Sequence, residues 1–216
     1  MDINLDLTST HFISLGIVML LGAMSPGPDF AVVVKNTLTH SRRAGIFTAF
    51  GITAAICVHM TYCVLGFAAL IRESVLLFQA IQYIGAAYLA YLGFMILKAK
   101  PVSFSPKELT EKNIETTSMS GFTAFKQGFI CNLLNPKATL FFLTLFSVIT
   151  SDELSLSWSL GYALEIILIT IIWFSMLSFL LSHSTIQPFL DKAKNGIEKA
   201  LGACLVLMAV GIFVFS

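Results

Sequence analysis

The sequence predicts an all-α fold: a polytopic membrane protein with six transmembrane helices arranged as a 3+3 inverted repeat. Composition is the first observation, because 56% of the residues are hydrophobic, only 12% are charged and the mean hydropathy is +0.86. A soluble domain carries about 25% charged residues, so this composition excludes a soluble globular protein. The second observation is a series of six apolar segments, and the third is a Pro-containing box in each half of the chain.

Each of the six apolar segments is long enough to cross a bilayer, which takes roughly 20 residues. They cover residues 11–34, 44–71, 74–97, 122–151, 156–182 and 197–215. Asp2 and Asp6 precede the first segment without any Lys or Arg, so it lacks the positive region of a signal peptide and is expected to be retained. We predict a single membrane domain over residues 1–216, with repeat one over 11–97, a polar cytoplasmic loop over 98–121 and repeat two over 122–216.

The distribution of Lys and Arg predicts how these segments cross the membrane. Eleven of these residues lie in or beside the connections after the first, third and fifth segments, whereas the other connections contain only Arg72. Lys137 is set aside because it lies inside the fourth segment. Cytoplasmic connections are enriched in Lys and Arg. The three basic connections are therefore predicted to be cytoplasmic, and both termini to lie outside the cytoplasm.

Several classes of function lack support in the sequence. A net charge of +1 gives no reason to expect nucleic acid as a partner. The four histidines are scattered, with no HExxH motif and no paired carboxylates, so no enzyme activity is predicted. A thiol relay would need paired cysteines on matching segments, and the first segment has none. Since the four cysteines form no CxxC motif, they are interpreted as small hydrophobic residues, and neither a metal site nor a cofactor is expected.

The first box, Gly22-Ala-Met-Ser-Pro-Gly-Pro-Asp-Phe30, is expected to interrupt the first transmembrane helix. Pro26 and Pro28 each lack the N–H that closes a helical hydrogen bond, and Gly27 between them adds backbone freedom. In a membrane, freed backbone groups are tolerated only inside protein or along an aqueous cavity. Asp29 adds a carboxylate at a depth where ionised groups usually face a pathway. The alternative is a kinked, continuous helix with Asp29 at the membrane interface.

A similar box, Gly128…Asn132-Leu-Leu-Asn135-Pro136-Lys137, lies in the fourth segment. The following segments also match in order, Phe50-Gly51 with Leu160-Gly161 and Ile84-Gly85 with Leu201-Gly202. With three spans in each half, the two copies must cross the membrane in opposite directions. In transporters built this way, interrupted helices at matching positions mark the binding site.

Aligning Pro28 with Pro136 pairs Asp29 with Lys137, and we predict that both charges lie in or beside one central cavity. There they can neutralise each other, or engage the ammonium and carboxylate of a zwitterionic substrate with help from the freed backbone groups. A static ion pair that only fixes packing is the alternative. Polar side chains also join helices in lipid, so a packing role stays open for the short polar residues of both boxes. The predicted substrate-binding or pathway residues are Ser25, Pro26, Gly27, Pro28, Asp29, Asn132, Asn135, Pro136 and Lys137.

Two further polar residues lie inside apolar segments. Glu165 is the only charge of the fifth segment, and it is the candidate for proton coupling if it faces the cavity. Its alternative interpretation is a protonated, hydrogen-bonded packing residue. His59 in the second segment is interpreted as a hydrogen-bonded core residue and is left out of the predicted site.

Three motifs in this order resemble the hallmarks of the LysE/RhtB family of bacterial amino-acid exporters. They are the two boxes above and Ile84-Gly-Ala-Ala-Tyr-Leu89…Leu92-Gly93, and the likeness covers essentially the whole chain. The resemblance implies a multi-pass protein of the bacterial inner membrane that exports amino acids, such as threonine, homoserine or leucine, by means of the proton-motive force. Its partners would be the amino acid, protons and the lipid bilayer.

The scarcity of carboxylates inside the spans favours a neutral amino acid as the substrate. The alternatives are an exporter of basic amino acids or of amino-acid derivatives, and a passive small-solute channel of the same fold. The sequence leaves open whether the protein forms a homo-oligomer.

Overall fold

A computed structural model of the protein describes residues 3–25, 27–73, 75–98, 119–149 and 156–183, together with separate residues between 196 and 213. Within these ranges the chain forms helices joined by short turns, with no strand, so the predicted all-α class is confirmed for this part of the protein. The helices are α1 (Ile3–Met24), α2 (Pro28–Thr39), α3 (Arg42–Glu73), α4 (Val75–Lys98), α5 (Gly121–Leu133), α6 (Pro136–Ile149) and α7 (Leu156–Leu181).

Both Pro-containing boxes interrupt a helix. The chain bends by 58° between α1 and α2 and by 60° between α5 and α6. Pro28 and Pro136 are the first residues of α2 and α6, a position at which the missing N–H has no helical partner to lose. Gly27 precedes Pro28 in a fully extended conformation, with φ and ψ both at −178°. We refer to residues 25–29 as break one and to residues 132–137 as break two.

Two helices, Arg42–Gly66 within α3 and Leu156–Leu181, are each long and apolar enough to span a membrane. Counting each bent pair as one span brings the number in the described part of the chain to four. The apolar stretch of α4, Tyr83–Lys98, is shorter than a full span. The predicted central loop, apart from its ends, and most of the predicted sixth span lie outside the described residues. The six spans and the inverted repeat therefore stay predictions.

The helix α3 lies at the centre and packs along α2, α5 and α7. Its contact with α5 is close enough to bring the two backbones together. A Cβ atom on Gly51 would overlap the carbonyl oxygen of Phe125, and one on Gly128 would overlap the carbonyl oxygen of Thr48. The helix α7 also packs against α1, and α4 packs against α6. Small residues allow such approach between membrane helices.

Four of the described helix ends that flank the basic connections meet at one end of the bundle: the end of α2, the start of α3, the start of α5 and the end of α7. Gly45 near the start of α3 is covered by the hydroxyls of Thr37 from the end of α2 and Ser178 from the end of α7. Phe47 packs on Gly121, the first residue of α5. We call this the basic end, because it carries Arg42, Arg43 and Lys126. The structure thus gathers connections that the sequence assigns to one membrane side.

Candidate functional site

The two breaks contact each other through polar side chains. Asp29 at the start of α2 accepts hydrogen bonds through Oδ2 from the amide groups of Asn132 (3.0 Å) and Asn135 (3.2 Å). These partners lie more than a hundred residues away in the sequence. The predicted meeting of the two interrupted helices is therefore present in the fold. Hydrogen bonds to an ionised carboxylate are among the stronger ones in proteins.

The ammonium group of Lys137 crosses in the opposite direction. Its Nζ donates to the Oγ of Ser25 across 2.6 Å. The same Nζ lies 3.0 Å from the place that a Cβ on Gly27 would take, so the absence of a side chain at this position makes room for the lysine. Each charge is thus held by polar groups of the other break, and the two breaks form one connected unit.

Break two also carries a helix cap. The Oδ1 of Asn135 accepts the backbone N–H of Lys137 across 3.0 Å, which satisfies one of the free donors at the start of α6. Asn135 therefore has two roles, because its amide nitrogen donates to Asp29. In break one the equivalent residue before the proline is Gly27, which supplies no side-chain cap.

The two charges occupy the same place in their helices. Asp29 follows Pro28 in the first turn of α2, and Lys137 follows Pro136 in the first turn of α6. A helix N-terminus carries a partial positive charge, which favours an anion and disfavours a cation. The position of Asp29 is favourable on this ground alone. Lys137 instead adds a second positive element to the start of α6, and together they form a place that attracts an anionic group.

A cavity of about 50 Å³ lies between the breaks. Its polar lining comes from both breaks, and the rest of its lining is apolar. One water needs roughly 10–15 Å³ of such space, so the cavity is large enough to be hydrated. The lining residues are Met19, Gly22, Ala23, Ser25, Gly27, Pro28, Asp29, Phe30, Ile56, Asn132, Asn135, Lys137, Ala138, Phe141, Phe142, Phe174 and Leu205.

Two acceptors at this site are buried and receive no hydrogen bond from the described residues: Oδ1 of Asp29 and Oδ1 of Asn132. Most buried polar atoms in proteins have a partner. Both atoms are suited to accept N–H groups, and one of them belongs to a carboxylate. The arrangement can therefore take a ligand that brings a cationic donor.

The structure brings seven of the nine predicted pathway residues to the cavity. Pro136 begins α6 but is not among the lining residues, and Pro26 lies outside the described residues. Glu165, the predicted proton carrier, does not line this cavity. Its Oε1 lies against α1, 2.6 Å from the place of a Cβ on Gly16, and its Oε2 is buried without a hydrogen bond from the described part of the chain.

One residue that sequence reasoning left out lies beside break two. His59 on α3 is 1% exposed, and its Nε2 lies 3.4 Å from the backbone carbonyl oxygen of Asn132. Its Nδ1 contacts the hydroxyl of Tyr62. A signal was available in the sequence, because His59 continues a stripe of α3 at intervals of three or four residues. The buried members of this stripe are Thr48, Ile52, Ile56, His59 and Cys63.

A second polar cluster lies on the side of the cavity nearer the basic end. Asn36 on α2 is fully buried, and its amide group donates to Thr48 on α3 (2.9 Å) and to Gln127 on α5 (3.0 Å). Asn36 lies two helical turns after Asp29, about 10 Å along the helix. Sequence reasoning missed this cluster because no proline or charge marks it.

In the described part of the chain, no three His, Cys, Asp or Glu side chains come together closely enough to hold a metal ion.

Comparison with known proteins gives one family and several relatives. The family model described as LysE type translocator matches residues 20–215. The uncharacterized membrane protein YrhP of Bacillus subtilis is 30% identical, over 84% of this chain and 88% of its own length. The threonine efflux protein of Escherichia coli K12 is 27% identical, over 89% of this chain and 92% of its own. An uncharacterized membrane protein of Haemophilus influenzae is 29% identical, over 88% and 90% respectively. No solved structure shows significant similarity to the chain.

Proposed function

Because the chain belongs to the family of LysE-type translocators, we propose that it is a secondary active exporter of amino acids across the bacterial inner membrane. The threonine efflux relative supports this class of substrate, since the match covers about nine-tenths of both chains. The export is coupled to the proton-motive force. The basic end faces the cytoplasm, and both termini lie outside the cytoplasm.

The observation that carries the proposal is the pair of opposite charges in the polar lining of one cavity. Asp29 and its free Oδ1 suit the ammonium group of an amino acid. Lys137 and the start of α6 suit its carboxylate. The aromatic residues of the apolar lining, Phe141, Phe142 and Phe174, suit an apolar or small side chain. A free amino acid is the common metabolite that combines these three features.

The substrate is a neutral amino acid such as threonine, homoserine or leucine. Asp29 is the only carboxylate among the described residues that line the cavity, and the substrate's own ammonium group engages it. The second cation of lysine or arginine would find no carboxylate there. A buried charge without a partner is costly, so a basic side chain is disfavoured.

Transport proceeds by alternating access around the two breaks. A cytoplasmic amino acid binds between them, and a relative movement of the helices on either side of the breaks opens the site outward. Discontinuous helices that supply charged or dipolar ends to a central site are typical of secondary transporters. The reciprocal bonds between Asp29, Lys137 and the opposite breaks supply contacts that substrate can exchange for its own.

The substrate is tested by feeding a panel of dipeptides to cells with and without the gene and measuring the free amino acids that accumulate outside. We expect the gene to raise extracellular threonine, homoserine or leucine above the level of the empty strain, and the Asp29→Asn variant to remove the difference. Selective accumulation of lysine or arginine would contradict the assignment to neutral substrates. An unchanged profile for every amino acid would contradict the proposed function.

Proton coupling is tested in vesicles by collapsing the proton gradient during uphill export. We expect export against a gradient to stop, whereas flux through a passive channel would continue. Glu165 is the coupling candidate that the sequence singles out, and the variant Glu165→Gln tests it. Transport with unchanged rate and unchanged pH dependence would remove Glu165 from the mechanism.

A further inference from the structure

His59 contacts the backbone of break two. Its Nε2 lies 3.4 Å from the carbonyl oxygen of Asn132, at the long end of hydrogen-bond distances. The amide group of the same asparagine donates to Asp29. On the α6 side the imidazole ring meets the ring of Phe142, with 5.5 Å between ring centres. His59 is therefore one residue removed from the carboxylate that lines the cavity.

The two ring nitrogens of His59 have different partners, and these partners define how the ring binds a proton. A backbone carbonyl can only accept, so Nε2 carries a hydrogen and donates to Asn132. Nδ1 faces the hydroxyl of Tyr62. In the neutral ring Nδ1 accepts from this O–H, and in the charged ring Nδ1–H donates to the same oxygen. The ring can therefore gain or lose one proton while keeping both partners in place.

Tyr62 lies beside this ring, on the part of α3 that is far from the basic end. It lies 20 residues after Arg42 in one continuous helix, which corresponds to about 30 Å. That length equals the thickness of the hydrocarbon core of a bilayer. The Tyr62 side chain is 36% exposed, whereas His59 is 1% exposed. Tyr62 therefore separates the buried ring from the exterior of the bundle by a single side chain.

A positive charge on His59 affects substrate binding through electrostatic repulsion. The imidazolium and the ammonium group of an amino acid bound at Asp29 are both positive, so each disfavours the other. Such mutual exclusion is the linkage that an antiporter requires, because the proton is taken up as the amino acid leaves. In the described structure Tyr62 contacts the ring and Asp29 acts on it electrostatically, while Cys63 lies near Tyr62 and Cys131 near Asp29.

We propose that His59 is a coupling residue: it binds the proton that is exchanged for the amino acid, and Tyr62 delivers it. In the transfer, a proton from water binds the Tyr62 oxygen while the hydroxyl proton passes to Nδ1, which leaves Tyr62 neutral and His59 singly positive. In the inward-open state the two steps run in reverse, and the proton passes to water that enters from the basic end, so that one proton moves inward for each amino acid exported. This inference rests on the proposed function and adds a second proton-binding group to Glu165.

The test uses the full-length protein in proteoliposomes loaded with labelled threonine, homoserine or leucine, whichever the cell assay identifies. Exchange at equal pH on both sides measures binding and movement without proton driving force. Efflux under a gradient of two pH units measures coupling, since such a gradient supplies up to about 100-fold concentrating power per proton. The variant His59→Gln keeps a donor for Asn132 and an acceptor for Tyr62 but binds no proton. His183→Gln is the matched control, because His183 is exposed at the end of α7.

We expect His59→Gln to retain exchange at equal pH and to lose the acceleration by the gradient, so that the ratio of the two rates falls to about 1. Tyr62→Phe keeps the aromatic ring and is expected to lower the same ratio, and His183→Gln to leave it unchanged. A full gradient effect in His59→Gln would overturn the inference while export itself stood. Wild-type exchange without any gradient effect would overturn it together with proton coupling, and the absence of wild-type exchange would overturn the proposed function as well.

If His59→Gln also loses exchange, Tyr62→Phe decides, because it leaves the imidazole in place. If Tyr62→Phe retains exchange and loses the gradient effect, the inference is supported. If the gradient effect in that variant is unchanged, the inference is overturned.

Discussion

The two breaks are alike in geometry and opposite in chemistry. Both bend the chain by about the same angle, 58° and 60°, and both place a proline first and a charged residue second in the following helix. Break one contributes a carboxylate that complements the helix N-terminus, and break two contributes a lysine that opposes it. A local stabilising role explains Asp29 but not Lys137. The position of Lys137 is therefore explained by its contact with break one and not by the helix that carries it.

The largest expected effect comes from removing either charge. Asp29→Asn and Lys137→Gln are each expected to lower export about 10–100-fold, because hydrogen bonds to a charged group contribute about 1.5–3 kcal/mol. The measurement is the initial rate of amino-acid efflux from loaded cells, normalised to the amount of protein in the membrane. Lys35→Gln is the control, since Lys35 is exposed on α2 and does not line the cavity. Full efflux in both charge variants would contradict a substrate-binding role.

Exchanging the charges separates substrate binding from a static ion pair. In the double variant Asp29→Lys with Lys137→Asp, a pair that only fixes packing should recover both protein level and export. A substrate site should recover the protein level without export, because the amino acid would bind in reverse and its side chain would face the polar lining. Recovery of export would show that the two breaks are interchangeable.

The two asparagines of break two are expected to differ in their effect on stability. Asn132→Ala and Asn135→Ala each remove one donor to Asp29, and both should slow export. Asn135→Ala also removes the cap of α6, which contributes about 1 kcal/mol. We therefore expect Asn135→Ala to have the lower thermal unfolding temperature in detergent. Equal unfolding temperatures would contradict a capping role of Asn135.

The smallest effect is expected at Gly27. A methyl group at this position would lie 3.0 Å from Nζ of Lys137, and the flexible end of the lysine can move by a few tenths of an ångström. The extended backbone of Gly27 is accessible to any residue, so no strain is added. Gly27→Ala should lower apparent substrate affinity a few-fold, measured by competition of unlabelled substrate in the exchange assay. Gly66→Ala is the control, because no atom lies within 4 Å of its Cβ position. Equal affinities in both variants would contradict the contact with Lys137.

Part of this site could be predicted from the sequence because proline and charge act locally. Pro28 and Pro136 identify the breaks without knowledge of the fold, and a carboxylate at membrane depth requires polar neighbours. Which group satisfies which charge depends on the register of the two breaks. The bond from Lys137 to Ser25 is one such contact, and the sequence contains no local rule for it.

His59 and Glu165 illustrate what the sequence alone could not predict about the site. His59 is the only histidine of its apolar helix and Glu165 is the only carboxylate of its own, so composition treats them alike. The close approach of α3 to α5 brings His59 to Asn132, whereas Glu165 lies against Gly16 of α1. The sequence predicts the membrane helices, but only the packing of helix on helix shows which polar residue lies beside break two.

The near contact between the backbones of α3 and α5 has a mechanical consequence. The carbonyl oxygens of Phe125 and Thr48 occupy the positions that side chains on Gly51 and Gly128 would take. The two helices are therefore packed backbone against backbone, which resists sliding of one along the other. We expect these two helices to move together in any rearrangement of the bundle. The chain next changes direction at the turn between Leu133 and Pro136, so we expect movement to occur there, between α5 and α6.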